Sequence, residues 1–305
     1  MTPDALRQAL AAAADHEAWI DALADYFRAG DAFFGHGTDN AEDEAFWLIR
    51  HLQGWREGAF EEPPDPALVE DAVRIAERRV VERKPLAYLL GEAWFAGLPF
   101  EVSEDVLIPR SPLAEVIEQC FAPWTTLRPG DRVLDVGTGS GCLAVAAAVY
   151  CRDVQVDATD VSKAALAIAA RNAARHGVAD RVRFIEADLF PATPDRYRVI
   201  MSNPPYVPRQ VLDSLPPEYG HEPALALLGG ETGLEPTERL LREAGARLVP
   251  GGVLIVEVGA EAEALIERHP RLPLTWLEFE RGGEGVFVVT AEQLVQHYGG
   301  STGEA

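Results

Sequence analysis

The sequence predicts an α/β fold: a mostly parallel, seven-stranded sheet with helices on both faces, preceded by a small all-helical N-terminal region. Three observations predict it. From Asp131 onward, short apolar runs alternate with helical periods, as in parallel strands joined by crossover helices. Before Glu82, apolar residues recur only at helical spacing. Between the two lies a stretch, 85–112, that reads as a linker carrying a β-hairpin. The expected division is 1–84, 85–112 and 113–305.

The elements follow in order. Leu6, Leu10 and Ala13, then Trp19, Ile20, Leu23 and Phe27, mark the first helices. Gly30 and Gly35-His36-Gly37 break the pattern, and Thr38, Asp39 or Asn40 caps a helix that buries Phe46, Trp47, Ile49 and Leu52. Glu61 to Pro66 is a break, and Ala67 to Glu82 forms a further helix. Pro85 to Gly91 leaves the helices. The hairpin takes Ala93 to Phe95, a turn at Gly97 to Pro99, Phe100 to Val102 and Val106 to Ile108. Leu113 to Phe121 is helical. The seven strands are Arg132–Val136, Val154–Thr159, Val182–Ile185, Val199–Ser202, Val253–Glu257, Leu274–Glu280 and Val286–Thr290. The last two form an antiparallel edge around Gly282-Gly283, and Gly299 to Ala305 reads as disordered.

The chain of 305 residues is 48% hydrophobic and 25% charged, enough apolar content for a normal core. Its net charge of −22 opposes a large nucleic-acid footprint and suits a basic protein partner. Cys120, Cys142 and Cys151 show neither a C-x-x-C pair nor metal-ligand spacing. Two of them lie in or near apolar helical patterns and read as small core residues, and the odd, sparse set suggests a reducing compartment. His36 and His51 have no partners at ligand spacing, so no metal is expected. Met1-Thr2-Pro3-Asp4 lacks a signal-peptide pattern, and no apolar run approaches the roughly 20 residues that cross a bilayer. The expectation is a cytoplasmic protein without a membrane.

The stretch that organises the C-terminal region is Asn203-Pro204-Pro205-Tyr206, reached through Val199-Ile200-Met201. Two prolines fix φ and remove two backbone donors, so the segment is stiff and presents carbonyls without competing N–H groups. An amide at its start and a phenol at its end make an acceptor site for a flat group bearing N–H bonds. Ligands of open parallel sheets bind beyond the carboxyl ends of the strands. There lie Asp135, the loop Gly137-Thr138-Gly139-Ser140-Gly141, Asp160, Asp188-Leu189 and the Asn-Pro-Pro-Tyr. The glycines permit close approach of a ligand to backbone. The spacing is G-x-G-x-G rather than the dinucleotide G-x-G-x-x-G, and Asp135 suits a cationic ligand better than a pyrophosphate. S-adenosylmethionine has an ammonium and a sulfonium. Asp135 and the loop carbonyls (Gly137, Thr138, Gly139, Gly141) fit its amino-acid end, Asp160 its ribose hydroxyls, and Asp188 with the Leu189 N–H its adenine.

These residues resemble class I S-adenosylmethionine-dependent methyltransferases. More narrowly, they are similar to the family that methylates the side-chain amide nitrogen, N5, of glutamine in translation proteins. The resemblance covers essentially the whole chain, including Leu107-Ile108-Pro109-Arg110, Glu222-Pro223-Ala224-Leu225-Ala226-Leu227 and Gly229-Gly230-Glu231-Thr232-Gly233-Leu234. It implies a Rossmann-like seven-stranded methyltransferase sheet, an N-terminal substrate-recognition domain, and S-adenosylhomocysteine as product. The release-factor branch has P-R-x-E-T after the hairpin, whereas this chain has Pro109-Arg110-Ser111-Pro112-Leu113-Ala114-Glu115. That segment, with Glu92 to Gly97 and Arg281 to Phe287, is similar to the branch that modifies the basic large-subunit ribosomal protein L-three, free or in an assembly intermediate. The implied substrate site is Asn203, Pro204, Pro205 and Tyr206, with Arg110 beside it. Asn203 Oδ1 and the Pro204 carbonyl accept the two amide N–H bonds, Tyr206 stacks on the amide plane, and Asn203 also borders the cofactor. Three other readings remain: a release-factor methyltransferase, an adenine-N6 DNA methyltransferase sharing Asn-Pro-Pro-Tyr, and a non-catalytic assembly factor. Acidity and the lack of a basic, aromatic-laced target region oppose DNA.

Overall fold

The computed structural model describes residues 1–54 and 63–299. Glu61 and Glu62 of the expected break, and residues 300–305 of the expected tail, lie outside them. The chain divides into two compact units, one of residues 1–93, 102–104 and 216–221, the other of 94–101, 105–215 and 222–305.

The first unit is helical. It contains α1 (Pro3–Ala12), α2 (His16–Ala29), α3 (Ala41–Leu52), α4 (Val69–Val81) and α5 (Leu86–Leu90). Asn40 caps α3, its Oδ1 accepting the Asp43 N–H at 2.8 Å. Two expectations change here. Pro85 to Gly91 is helical, closed by Gly91 in the left-handed conformation. Phe46 faces outward on α3 while Glu44 is buried, because Glu44 pairs with the buried Arg79 of α4. Arg79 also donates to Glu218 at 3.1 Å, and Arg83 meets Glu218 at 2.8 Å. Thus a segment far along the chain completes the charge balance of this unit's core.

The chain enters the second unit within a hairpin, β1 (Glu92–Phe95) and β2 (Leu98–Glu101), turning on Ala96 and Gly97, both at positive φ. Residues 106–108, expected as strand, are irregular. There follow α6 (Leu113–Glu118), β3 (Arg132–Val136), α7 (Cys142–Tyr150), β4 (Gln155–Asp160), α8 (Lys163–Arg175), β5 (Val182–Glu186) and β6 (Tyr197–Ser202). Short α9 (Arg209–Leu212) and α10 (Ala224–Leu227) precede α11 (Glu235–Ala244) and β7 (Leu248–Glu257). The chain closes with α12 (Ala262–Arg268), β8 (Thr275–Trp276), β9 (Val286–Thr290) and α13 (Ala291–Tyr298).

The sheet order is β5-β4-β3-β6-β7-β9-β8, parallel from β5 to β7, with β9 and β8 antiparallel. Successive side chains alternate faces. Val133, Val199 and Ile255 enter one core, and Leu134, Ile200 and Leu254 the other. The expected strand Leu274–Glu280 shrinks to β8; Leu277 N–H still reaches the Val286 carbonyl of β9 at 2.9 Å, and at the far end the Glu280 and Arg281 N–H groups bond the Glu115 carboxylate. The C-terminal helix α13 was not expected, although Thr290 and Gln293 form a capping box at its start. Cys120 and Cys151 are joined as a disulfide with Cα atoms 5.5 Å apart. This corrects the expectation of unpaired core cysteines: packing of α6 against α7 brings together two residues that no spacing rule connects. Cys142 is free.

Removing one partner of a buried ion pair leaves an uncompensated charge, at a cost of about 3–5 kcal/mol. Glu218→Ala is therefore expected to destabilise the helical unit by that amount in denaturant unfolding; an unchanged midpoint would show that Arg79 is satisfied without it.

Candidate functional site

A cleft of about 450 Å³ opens at the carboxyl ends of β3, β4 and β6. The chain reverses its direction of travel across the sheet between β3 and β6, so the loops there splay apart. Of the residues expected in a site, Gly137, Gly139, Asp160, Asp188, Leu189, Asn203 and Pro205 line the cleft.

The glycine loop is held by backbone and carboxylates. Gly137 and Thr138 both donate to the Thr159 carbonyl at 2.9 Å. Gly139 N–H reaches Asp160 Oδ2 at 2.9 Å, while Asp160 Oδ1 accepts the Ser162 N–H at 2.8 Å. Each Asp160 oxygen therefore keeps a lone pair for a ligand hydroxyl. Asp135 does not line the cleft. It lies fully buried beneath the loop, its Oδ2 accepting the Thr138 hydroxyl at 2.6 Å and the Ala144 N–H at 3.1 Å. Its Oδ1 has no hydrogen-bond partner among the described residues. Burial pushes the Asp135 carboxyl up to about 7, against the pull of those two donors. Thr138 and Gly141 likewise serve from below: Gly141 opens α7 with its Cα side against Ala169, too close for a Cβ.

Asn203 leaves β6 half-buried, and its Nδ2 donates to the Arg110 carbonyl at 3.4 Å. This turns Oδ1 away from Arg110. The strand end behind it is pinned by Ser202, whose hydroxyl donates to the Val136 carbonyl at 2.7 Å. The Arg110 guanidinium pairs with Glu222, with contacts of 2.7 and 2.6 Å, and it is the Arg110 carbonyl that meets Asn203. Glu222 also accepts the Ile108 N–H at 3.0 Å. Asp188 similarly makes a bidentate pair with Arg239, both contacts 3.0 Å, at the cleft edge. Leu189 has positive φ, and its carbonyl accepts the Thr159 hydroxyl at 2.7 Å. Tyr206 donates to Glu257 at 3.3 Å. The Gly229 backbone packs so closely on this segment that a Cβ would lie 2.7 Å from the Pro205 carbonyl oxygen and the Tyr206 Cα.

Sequence reasoning missed Glu222, Glu257, Ser111 and Arg239. The sequence did carry a signal for Glu257, a charge closing the apolar run Val253–Val256 at the carboxyl end of a strand.

A Cβ at Gly137 or Gly139 would meet nothing within 4 Å, so the loop backbone faces open space. That bare backbone and the half-satisfied Asp160 fit a ligand with an amino-acid end and a ribose. With the Asn-Pro-Pro-Tyr after β6, the fold and cleft define a Rossmann-like methyltransferase. The methyltransferase small domain family model matches residues 119–214. The ribosomal protein uL3 glutamine methyltransferase of Francisella tularensis subsp. tularensis is 39% identical over 291 residues, covering 91% of this chain and 93% of its own length. Those of Neisseria meningitidis serogroup A and Xylella fastidiosa are each 42% identical, over 274 and 277 residues, covering 88% and 87% of this chain and 90% and 86% of their own length. The chain belongs to the family of ribosomal protein uL3 glutamine methyltransferases.

The folded protein keeps a proton on Asp135 up to about pH 7, whereas the unfolded chain loses it near 3.8. Between these values the folded state binds more protons, so stability falls as pH rises, by up to about 4 kcal/mol, and levels off above pH 7. Asp135→Asn keeps an acceptor for Thr138 and Ala144 but does not titrate. Denaturant unfolding at pH 5 and pH 8 is expected to show a smaller loss in the variant than in wild type; equal losses would mean that Asp135 ionises normally.

Proposed function

We propose that this protein transfers a methyl group from S-adenosylmethionine to the side-chain amide nitrogen of a glutamine in ribosomal protein uL3, the large-subunit protein L-three. The observation that carries the reading is the joint placement of Asn203 and Pro205 on the wall that also holds Gly137, Gly139 and Asp160. Asn203, whose side-chain oxygen can accept an amide N–H, thereby borders the space that fits a cofactor, with Pro204 next to it in the chain. Likeness along the whole chain to enzymes of that name supports the substrate, and a net charge of −22 suits a basic protein.

In this reading Asp160 would hold the ribose hydroxyls. The loop backbone over Asp135 would hold the amino-acid end, and Leu189 with Asp188 would border the adenine. When bound, S-adenosylmethionine supplies an electrophilic methyl group on a sulfonium and leaves as S-adenosylhomocysteine. An amide nitrogen is a poor nucleophile because its lone pair is delocalised into the carbonyl. Asn203 Oδ1 and the Pro204 carbonyl accept its two N–H bonds, orient the lone pair and stabilise the positive charge that develops on nitrogen. Tyr206 stacks on the amide plane and excludes water. No strong base is required, since the alkylated amide is acidic and sheds its proton afterwards. The N-terminal helical region, 1–84, would contribute to recognition of the protein substrate.

The test is transfer of labelled methyl to purified uL3, a release factor and adenine-containing DNA in parallel. Label on uL3 alone is expected; label on the release factor or DNA instead would overturn the substrate. Asn203→Ala is expected to lower turnover by about 100- to 1,000-fold while S-adenosylmethionine affinity stays within about twofold. Wild-type-like methylation by that variant would sink the mechanism.

A further inference from the structure

Glu257 ends β7 with only 6% of its surface exposed, and no role described so far uses it. Val256 is in register with Ser202 of β6, so Glu257 sits level with the start of Asn-Pro-Pro-Tyr on the adjacent strand. A carboxyl at the end of an apolar strand needs hydrogen-bond donors. Two come from different segments. Ser111 donates to Oε2 at 2.6 Å, and Tyr206 donates to Oε1 at 3.3 Å. Ser111 Oγ is in turn fixed by the Leu113 N–H at 3.2 Å. The Tyr206 ring also rests on the chain just past β7, where a Cβ on Gly259 would come within 2.8 Å of Tyr206 Cε2. The phenol oxygen and the outer end of the ring are thus both held from the β7 side.

We propose that Glu257 is a positioning residue for the acceptor site, tying Tyr206 to Ser111 so that the ring keeps its place beside Asn203 and Pro204. The proposal rests on the reading of Tyr206 as part of the glutamine site. Ser111 directly precedes Pro112, where this chain departs from the release-factor pattern. The link therefore runs from the residue next to that departure to the residue that faces the substrate amide. Burial pushes the Glu257 carboxyl up to about 7, while the two hydroxyl donors and the Arg110 charge pull it down. A carboxyl so poised accepts from both hydroxyls without holding a full charge against the core.

Two readouts test it, one of which needs no acceptor protein. In protein labelled with 3-fluorotyrosine, the Tyr206 fluorine resonance is identified by its loss in Tyr206→Phe. It is expected to shift or broaden in Glu257→Leu and in Ser111→Ala, although Ser111 makes its bond to Glu257 and not to the phenol. The second readout is kcat, KM for uL3 and the S-adenosylmethionine dissociation constant. Glu257→Leu is expected to lose about 10- to 100-fold in kcat with cofactor affinity within about twofold, and Glu257→Gln to recover most of that loss. Glu257→Leu combined with Tyr206→Phe is expected to lose no more than the worse single variant, since both cut one link. An unmoved Tyr206 resonance in both Glu257→Leu and Ser111→Ala, or losses that multiply in the double variant, would overturn the proposal. If wild-type protein binds S-adenosylmethionine but methylates no uL3, the proposed function fails, and the resonance alone still decides the role of Glu257.

Discussion

The contact between Arg110 and Glu222 is the constraint on which the site depends. It joins two segments 112 residues apart, and Glu222 adds the Ile108 N–H to the same carboxylate. That fixes the course of residues 108–111. The Arg110 carbonyl then meets Asn203, and the Ser111 hydroxyl meets Glu257. Glu222 also begins the run that carries α10 to Gly229, whose bare Cα lets the chain close on Pro205 and Tyr206. A bidentate guanidinium–carboxylate pair fixes orientation as well as distance, which a lysine in place of Arg110 would not do.

Burial sorts the carboxylates around the cleft into different tasks. Asp160 is half-exposed and already accepts two backbone N–H bonds, so it is suited to hold hydroxyls at the surface of the cleft. Asp135 and Glu257 are pushed up to about 7 by desolvation, yet each keeps two donors, the Thr138 hydroxyl and Ala144 N–H for Asp135 and the Ser111 and Tyr206 hydroxyls for Glu257. They act on other residues rather than on open space: Asp135 shapes the glycine loop, and Glu257 steadies Tyr206. Asp188, drawn into a surface pair with Arg239, marks the rim.

Much of the fold was legible because it follows from local periodicity. Arg132–Val136, Cys142–Tyr150 and Val286–Thr290 fall where alternation and helical spacing place them. Local chemistry also exposed the glycine loop and the stiff Asn-Pro-Pro-Tyr. The misses have physical causes. The strand after Leu274 is shorter than expected, and beyond it the Glu280 and Arg281 N–H groups turn to a side chain of α6. Phe46, expected inside, faces outward while Glu44 is buried, because Arg79 offers a buried charge partner. The disulfide joins cysteines 31 residues apart through helix packing. In the site, Arg110 and Asp135 were identified as important, but how each acts depends on where its polar atoms find partners.

The sequence by itself determined the order of the seven strands of the main sheet along the chain, the glycine loop, the acceptor motif and the family, since each rests on residue type and spacing within a few turns of chain. Only the tertiary structure decided which carboxylates face the cleft and which brace it. It also decided that Arg110 meets Asn203 through its carbonyl and Glu222 through its charge, and that Glu257, Ser111 and Tyr206 form one link. Those outcomes turn on desolvation and on hydrogen bonds between segments far apart in the chain. The cost of burying a polar group is set by neighbours that no local pattern names.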